Sequence, residues 1–437
     1  MKEQKTVLRN GIELYSIKNP SSHGFFISLF LRAGALYESS KESGITHFLE
    51  HVTIRNVNAG MSGELYKTLD RYGIEFNAST YSEMVQFYLS GAVENFDIAA
   101  DIISKLASPI ILSAREISAE RERIKAEIRE NDEKNSLVAY SNSIVHEGTS
   151  LANSITGTLG GVSKINLARL EEYRKSVFTK ENLFLYVTGN YTEEAIERLG
   201  ELVGAWELYS GEPHLNIAPV SEKFGKRDGK VYVKSADYTA LRFNFDIDMS
   251  RVSVPECDLI YDVLFGGYSS RFFIEMSERR GLFYDVSGNV ERYKNIGTLA
   301  FTFEVRSDRI YEAVELSLLL LYDMVSQRLS EEECMKAGYV DNAEMLADDA
   351  REQNFTFAYD NHILSEGYKT LTERAKRYSD ITPERISEAA RIIFAPENLT
   401  LTIKGRKKAI DKDRLEAHIN DYKKRYYASN DNKGLQK

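Results

Sequence analysis

The chain has 437 residues, 43% of them hydrophobic and 28% charged, which is typical of a globular protein with two large or three smaller domains. Its formal net charge of −10 argues against a general nucleic-acid-binding protein. The chain contains no apolar run of the ~18 residues that cross a bilayer, no apolar leader at its start and no Cys-x-x-Cys pair, so we expect a cytoplasmic protein without a membrane span.

Strand and helix patterns are mixed in both halves of the chain. Apolar runs predict strands at Phe25–Leu31 and Val85–Leu89, and strict alternation over 241–249 predicts a half-buried strand. We predict helices near residues 41–55, 92–106, 114–134, 166–176, 255–265, 309–327 and 331–350. This mixture favours an α+β fold in which each domain is a mainly antiparallel sheet with helices packed on one face.

The sequence also contains an internal repeat. Phe-x-x-Glu-Asn-Leu begins at Phe178 and again at Phe394, and Leu-Ser-x-x-Glu begins at Leu112 and again at Leu329. A period this long indicates duplicated domains rather than a solenoid. We predict two homologous domains, at 1–210 and 229–410, joined by a linker at 211–228. We expect residues 411–437 to form a charged tail with a peripheral helix.

One short segment carries the strongest chemical signal. His47 and His51 are four residues apart, so on a helix they share one face and can bind one zinc ion. Glu50 lies on the same side and could accept a proton from a water bound to the metal. The order His-x-x-Glu-His is the inverse of the commoner zinc motif.

A catalytic zinc needs a third protein ligand, and the predicted helix at 114–134 offers six candidate carboxylates. Glu120 and Glu127 are two turns apart on one face, beside an apolar stripe of isoleucines. The other four are typical of a solvated, salt-bridged surface: Glu116, Glu122, Glu130 and Glu133. Spacing alone does not choose among the six.

Seven segments of the sequence carry a family resemblance: LRNGIELY at the start, GITHFLEH, the strand FNASTYSE, ERERIKAE, ENLFLYVTGN, GGYSSRFF and RRGLFYDV. Together they resemble the pitrilysin/insulinase zinc metallopeptidases. Short two-domain chains such as the β subunit of mitochondrial processing peptidase belong to this family. The resemblance covers nearly the whole chain. It implies zinc metalloendopeptidase activity, with one Zn²⁺ bound by His47, His51 and Glu127.

The resemblance also assigns roles around the metal. It implies that Glu50 is the general base and that Glu120 orients a metal ligand. The strand that contains Asn77, Ala78 and Ser79 would bind the substrate as an added strand.

The second half is expected to be non-catalytic, because Val263 and Gly267 occupy the positions equivalent to the two histidines. In the family this half contributes an Arg and a Tyr, seven residues apart, that contact the substrate and its oxyanion. Tyr284 matches the Tyr, but Ser277 stands where the family has Arg. The resemblance therefore implies that this chain lacks one of the two donors of the family's active site.

Chains of this length in the family form half of a peptidase chamber. We therefore expect a homodimer or, slightly favoured because of Ser277, a heterodimer with a related chain that carries the Arg–Tyr pair. The expected substrates are unfolded peptides, among them leader segments of precursor peptides. The alternative is a non-catalytic structural subunit of the same fold, which the complete His-x-x-Glu-His motif disfavours.

Overall fold

Two β-sheets organise the chain, which the computed structural model describes at residues 3–130, 136–327, 329–330, 333, 349–364, 369 and 371–434. The first sheet has six strands: β1 (Glu3–Val7), β2 (Glu13–Lys18), β3 (Gly24–Leu31), β4 (Glu75–Thr80), β5 (Val85–Ala92) and β6 (Leu183–Gly189). The second has five: β7 (Lys230–Ser235), β8 (Ala240–Asp248), β9 (Ser287–Arg292), β10 (Ile296–Glu304) and β11 (Leu399–Gly405).

The two sheets have the same topology. The strand order is β1-β2-β6-β3-β5-β4 in the first and β7-β11-β8-β10-β9 in the second, so β1 is the only strand without a counterpart in the other sheet among the described residues. In each sheet one pair is parallel, β2 with β6 and β7 with β11, and every other pair is antiparallel. The internal repeat in the sequence therefore corresponds to a repeated sheet.

Helices connect these strands. The first ten are α1 (Ile45–Gly60), α2 (Leu65–Tyr72), α3 (Phe96–Ile103), α4 (Ala114–Glu130), α5 (Leu137–Val145), α6 (Leu159–Lys164), α7 (Leu167–Val177), α8 (Glu193–Gly204), α9 (Val254–Phe265) and α10 (Ile310–Ser326). The remaining four are α11 (Ala350–Ala358), α12 (Leu371–Ser379), α13 (Pro383–Ile393) and α14 (Lys412–Gly434). The α+β class predicted from the sequence is confirmed.

The chain divides into two compact units. Unit 1 contains the described residues of 1–132, 153–216 and 342–373, and unit 2 those of 133–152, 217–341 and 374–437. The predicted boundaries at 210 and 229 stay predictions. Each unit also includes a segment from the other half of the sequence, 342–373 in unit 1 and 133–152 in unit 2. The prediction of two consecutive domains did not include this exchange.

These two segments cover the second faces of the sheets. In unit 1, Asn354 on α11 donates hydrogen bonds to the main-chain oxygens of Phe26 and Tyr186, and Phe357 packs with aromatic residues of the sheet. In unit 2, Asn244 on β8 donates a hydrogen bond to Ser141 on α5. Each sheet thus has helices on one face, as predicted, and one further helix on the other.

Strand β8 differs from its prediction for this reason. Its apolar residues face the core, but the alternating Arg242, Asn244 and Asp246 are at most 3% exposed as well. Sequence alternation is typical of a half-buried strand. Here α5 covers the polar face, and the polar groups are paired within the unit instead of hydrated.

The C-terminal segment is also more integrated than expected. Helix α14 is not peripheral, because Leu415, Ile419 and Tyr422 on its inner face are at most 2% exposed and belong to the core of unit 2. Their spacing of four and three residues is that of an amphipathic helix, although the many charges around them dominate the composition.

The other predicted helices occur within a few residues of their expected limits, except that most of the one predicted at 331–350 lies outside the described residues. No described helix has the length and apolar character needed to cross a membrane.

Candidate metal centre

Helix α1 carries three of the predicted site residues, and a buried carboxylate holds its first turn. Gly44 precedes the helix with φ of 87°, a left-handed conformation that favours glycine. The Glu38 carboxylate accepts hydrogen bonds from the main-chain N–H groups of Gly44 (2.8 Å) and Thr46 (2.9 Å). These are donors that a helix start leaves unpaired. Burial raises the pKa of Glu38, although the two hydrogen bonds oppose the rise.

Three potential metal ligands converge between α1 and α4. The Nε2 atoms of His47 and His51 are 3.3 Å apart, and the Glu127 carboxylate oxygens lie 3.7 Å from His47 Nε2 and 3.5 Å from His51 Nε2. One ligand atom from each residue lies within 4.8 Å of the other two. Helical spacing explains the meeting, because His47 and His51 share one face of α1 and α4 packs against α1.

The other carboxylate of α4 contacts the far side of one imidazole. Glu120 is 2% exposed, and its Oε1 lies 3.0 Å from His51 Nδ1. Its Oε2 accepts a hydrogen bond of 3.0 Å from Arg55. Burial raises the pKa of Glu120, but His51 and Arg55 outweigh burial and hold that pKa below its usual value. The ionised carboxylate can only accept, so His51 donates from Nδ1, and its Nε2 faces Glu127.

The protonation states suit a metal site. Burial and the neighbouring His51 lower the pKa of His47 to about 3, so this ring is neutral at pH 7. Burial lowers the pKa of His51, but the hydrogen bond with Glu120 and the charges of Glu50 and Glu127 outweigh it and raise that pKa. The raised pKa favours the protonated form of His51. A cation held between the three groups would replace the proton on His51 Nε2, because metal ligands must be deprotonated.

Glu50 lies beside this cluster without belonging to it. It is 7% exposed, and its Oε2 accepts a hydrogen bond of 2.6 Å from Thr80, the last residue of β4. Burial raises the pKa of Glu50, while the Thr80 hydrogen bond and His51 act in the opposite direction. The result is a carboxylate with a raised pKa and a fixed orientation next to three potential ligands.

The predicted substrate strand is β4, at one edge of the first sheet. Asn77, Ala78 and Ser79 pair with β5 on one side, and no described strand pairs with the other side. The Asn77 side chain is exposed and accepts a hydrogen bond from the Ala78 N–H. Because β4 ends at Thr80, this open edge leads directly to the residue that holds Glu50.

Tyr284 and Ser277 belong to unit 2. The Tyr284 side chain is 95% exposed. Ser277 lies in a turn of π-helix (Phe273–Glu278), and its hydroxyl donates a hydrogen bond of 3.1 Å to the main-chain oxygen of Phe283. The hydroxyl is thus already paired inside its own unit.

Sequence reasoning missed three residues that support the site: Glu38, Arg55 and Thr80. Arg55 could have been found, because it follows His51 by four residues and therefore lies on the same face of α1. Thr80 lies within the quoted segment FNASTYSE, but its contact with Glu50 is tertiary. No local pattern predicts Glu38 as the partner of the helix start.

The donor set fits a zinc ion. Two imidazole nitrogens and one carboxylate are the ligands of many catalytic zinc sites, which keep a further position open. Three carboxylates surround the cluster, Glu50, Glu120 and Glu127, and they outnumber the nearby cations Arg55 and Arg123. This excess of negative charge favours a divalent cation.

The chain matches two family descriptions in succession. Residues 14–159 match "Insulinase (Peptidase family M16)", and residues 164–337 match "Peptidase M16 inactive domain". The first range contains the metal cluster, and the second contains Ser277 and Tyr284. A relative from Bacillus subtilis (strain 168), named uncharacterized zinc protease YmxG, is 21% identical over 398 residues, which are 89% of this chain and 95% of that protein.

Solved structures share the fold. A protease from Helicobacter pylori has a TM-score of 0.80 at 15% identity, with 92% of this chain and 99% of that chain covered. The periplasmic protease PqqL from Escherichia coli has a TM-score of 0.77 at 16% identity, with 97% of this chain but 50% of that chain covered. The Escherichia coli protein is therefore about twice as long as the matched part.

Proposed function

Because this chain belongs to the insulinase family of peptidases (M16), we propose that it is a zinc-dependent endopeptidase that hydrolyses unfolded peptides. The observation that carries the proposal is the meeting of His47, His51 and Glu127 within 4.8 Å, with the buried Glu50 beside them. The name of the Bacillus subtilis relative, a zinc protease, supports the same activity.

His47, His51 and Glu127 would hold one zinc ion, which when bound polarises the scissile carbonyl and lowers the pKa of a water molecule. Glu50 takes the proton from the attacking water and passes it to the leaving amine. Thr80 holds the carboxylate through Oε2, which leaves Oε1 for the proton.

The open edge of β4 supports a preference for extended substrates. A peptide that pairs with this edge adds a strand to the first sheet through main-chain hydrogen bonds at Asn77, Ala78 and Ser79. A segment inside a folded sheet is already paired on both sides and cannot add to β4 in this way. The bound strand would run past Thr80 towards Glu50.

The proposed assembly contains two chains that enclose a chamber. The length of the Escherichia coli protease supports this idea, since one chain of the present length covers 50% of that protein. The partner is a second copy or a related chain that carries an Arg–Tyr pair. Ser277 slightly favours the related chain, because serine lacks the charged, forked donors of arginine. Removal of a leader from a precursor peptide is one activity that such a chamber could perform.

The test compares the wild-type chain with Glu50→Gln. Glu50 is not among the clustered ligands, so the variant should bind one zinc per chain and keep its thermal stability. Loss of the base should lower the turnover of an unstructured peptide by several orders of magnitude. Zinc content is measured by elemental analysis and turnover with a fluorogenic peptide.

The matched control is Thr80→Val, which removes only the hydroxyl that orients Glu50 and should reduce turnover less. Equal turnover by wild type and Glu50→Gln would refute the role of Glu50. Zinc binding without turnover in either protein, with any partner, would favour a non-catalytic subunit.

A further inference from the structure

Unit 1 contains a cavity that shares no lining residue with the metal cluster. Its volume is about 420 Å³, within the range of small-molecule sites. The cavity lies beside the starts of β2 and β6, and its lining includes Arg32, Tyr37, Glu181, Phe184, His214 and Asn216. Leu183, Leu215 and Ile363 supply apolar surface.

A guanidinium without a carboxylate partner lines one side. Arg32 donates to the main-chain oxygens of Glu181 (3.2 Å) and His362 (3.1 Å), and its guanidinium carbon lies 4.7 Å from the centre of the Phe184 ring. Among the described residues Arg32 forms no ion pair. A half-buried guanidinium that still has free N–H donors is a good binding group for a carboxylate.

Two further polar groups in the lining lack partners. Asn216 is 4% exposed, and neither its Nδ2 nor its Oδ1 has a hydrogen-bond partner among the residues described. The Oε2 atom of Glu181 is buried and also lacks one. A buried polar group without a partner costs roughly 1–3 kcal/mol, so such groups in a cavity wall point to a ligand that pairs with them.

The charges of the lining decide which ligand fits. Arg32 and Lys180 are cationic, and Glu13, Glu83 and Glu181 are anionic. Glu13 already pairs with Lys5 and Tyr15, and Glu83 accepts a hydrogen bond from Tyr359. Lys180 lies 3.9 Å from Oε1 of Glu181. The groups left for a ligand are therefore one cation, Arg32, and one carboxylate oxygen, Oε2 of Glu181. A simple anion would meet the carboxylates, and a simple cation would meet Arg32 and Lys180.

We propose that this cavity binds a small zwitterion of the size of a free amino acid or a dipeptide. The carboxylate of the ligand pairs with Arg32 and the Asn216 amide, its ammonium group pairs with Glu181, and its side chains contact the aromatic and apolar wall. His214 shapes this wall, because its ring stacks on Tyr37 at 4.6 Å and its Nδ1 donates to the main-chain oxygen of Arg32. The proposal does not depend on the peptidase activity of the chain.

The experiment is calorimetric titration of the full chain that carries Glu50→Gln, so that peptides are not consumed. The probes are leucine, leucyl-leucine, N-acetyl-leucyl-leucine and leucyl-leucine amide. We expect one saturable site for leucine or leucyl-leucine. Blocking either terminus should weaken binding at least about 10-fold, because each block removes one charge-assisted hydrogen bond. Which of the two unblocked probes binds more tightly identifies the ligand as an amino acid or a dipeptide.

Variants separate the cavity from the metal cluster. Asn216→Ala removes only atoms that have no partner, so it should leave the thermal stability unchanged or higher while it weakens binding by about 10-fold. Arg32→Lys keeps the charge but loses the forked donors and should also weaken binding. Arg71→Lys, on the exposed end of α2, is the matched control and should bind as tightly as the parent.

Titration after removal of zinc with a chelator completes the test. Binding should persist, because no cavity residue belongs to the metal cluster. The proposal is overturned if no probe saturates below about 1 mM, if the blocked peptides bind as tightly as the free ones, or if binding disappears with the zinc.

Discussion

At the residue scale, the two imidazoles of the cluster differ in what holds their second nitrogen. His51 Nδ1 contacts the buried Glu120, which Arg55 holds in turn, whereas His47 Nδ1 is buried and has no partner among the described residues. A partner on the second nitrogen fixes the tautomer and the ring orientation of a metal ligand. The orientation of His51 is therefore determined by a chain of three side chains, and that of His47 by packing.

We predict that Arg55→Leu weakens zinc binding by about 10-fold, the lower end of the range for groups that support a metal ligand. Without Arg55 the pKa of Glu120 rises, and Glu120 orients His51 less firmly. Zinc affinity is measured by competition with a chromophoric chelator. The control is Arg123→Leu, since Arg123 lies 3.8 Å from the same carboxylate but is 73% exposed, where an ion pair contributes little. Equal effects of the two substitutions would contradict this chain of contacts.

Another histidine, His146 in unit 2, is 7% exposed. Burial and the charges of Arg227 and Arg242 lower its pKa to about 4. Between about pH 6.5 and 4 the unfolded chain binds a proton at His146 that the folded chain does not bind. The free energy of unfolding therefore decreases as the pH falls through this range, and below about pH 4 His146 causes no further loss.

We predict that His146→Gln removes this part of the pH dependence. One pH unit corresponds to about 1.4 kcal/mol, so between pH 7 and pH 5 the wild type should lose about 2 kcal/mol more than the variant. Denaturant unfolding of unit 2 at both pH values measures the difference. His23→Gln is the control, because His23 is exposed. A slope in His146→Gln equal to that of the wild type would show that folding does not lower the pKa of His146.

At the element scale, a narrow stripe of buried side chains attaches helix α14 to the core of unit 2. Leu415, Ile419, Tyr422 and Tyr426 are spaced by four, three and four residues, and all four are buried in the core of unit 2. The hydroxyls of Tyr422 and Tyr426 donate to the main-chain oxygens of Phe394 and Arg391. The helix is thus an integral part of the core of unit 2.

We predict that a chain ending at Asp411 fails to fold unit 2 cooperatively. Each buried side chain of the stripe contributes about 1.5–3 kcal/mol, so their sum is comparable to the roughly 5–15 kcal/mol that stabilises a whole domain. Calorimetry and limited proteolysis measure the loss. A chain ending at Ala428 keeps the four buried residues and should unfold as the full chain does. A cooperative transition of unit 2 in the shorter chain would show that α14 is dispensable.

At the scale of the whole molecule, the two copies of the repeat share a sheet topology, but among the described residues only the first copy has the candidate metal ligands. Both sheets have the same strand order. The second copy has Val263 and Gly267 in place of the histidines. Val263 lies in the last turn of α9 and packs in the core of unit 2, and Gly267 lies two residues beyond the end of α9. The candidate metal centre therefore belongs to unit 1, and Tyr284 is an exposed residue of unit 2.

We predict that the purified chain alone cleaves peptides slowly and that a related chain with an Arg–Tyr pair raises the rate sharply without changing the zinc content. Ser277 cannot provide the charged donors that stabilise an oxyanion, and Tyr284 provides a single hydrogen bond. Ser277→Arg should partly restore activity in a homodimer, whereas Ser277→Gln, of similar length without charge, should not. Rapid cleavage by the single chain that Tyr284→Phe leaves unchanged would contradict this prediction.

The sequence by itself determined the α+β class, the repeat, the positions of six of the fourteen described helices and the family, because each depends on local periodicity or on motifs a few residues long. His47, Glu50 and His51 are of this kind, since four residues of one helix suffice to align them. Spacing left the carboxylates of the predicted helix at 114–134 undecided, because six occur in it, five of them on α4. Only the packing of α4 against α1 brings Glu127 and Glu120 to opposite sides of His51.

Only the tertiary structure decided the contacts that join distant segments. The hydrogen bond from Thr80 to Glu50, the helices that cover the second faces of both sheets, and the buried positions of Arg242 and Asp246 depend on chain segments far apart in sequence. The burial of a polar residue is set by what covers it, and its own neighbours in the chain carry no information about that cover. For this reason a strand that reads as half-exposed is buried on both faces.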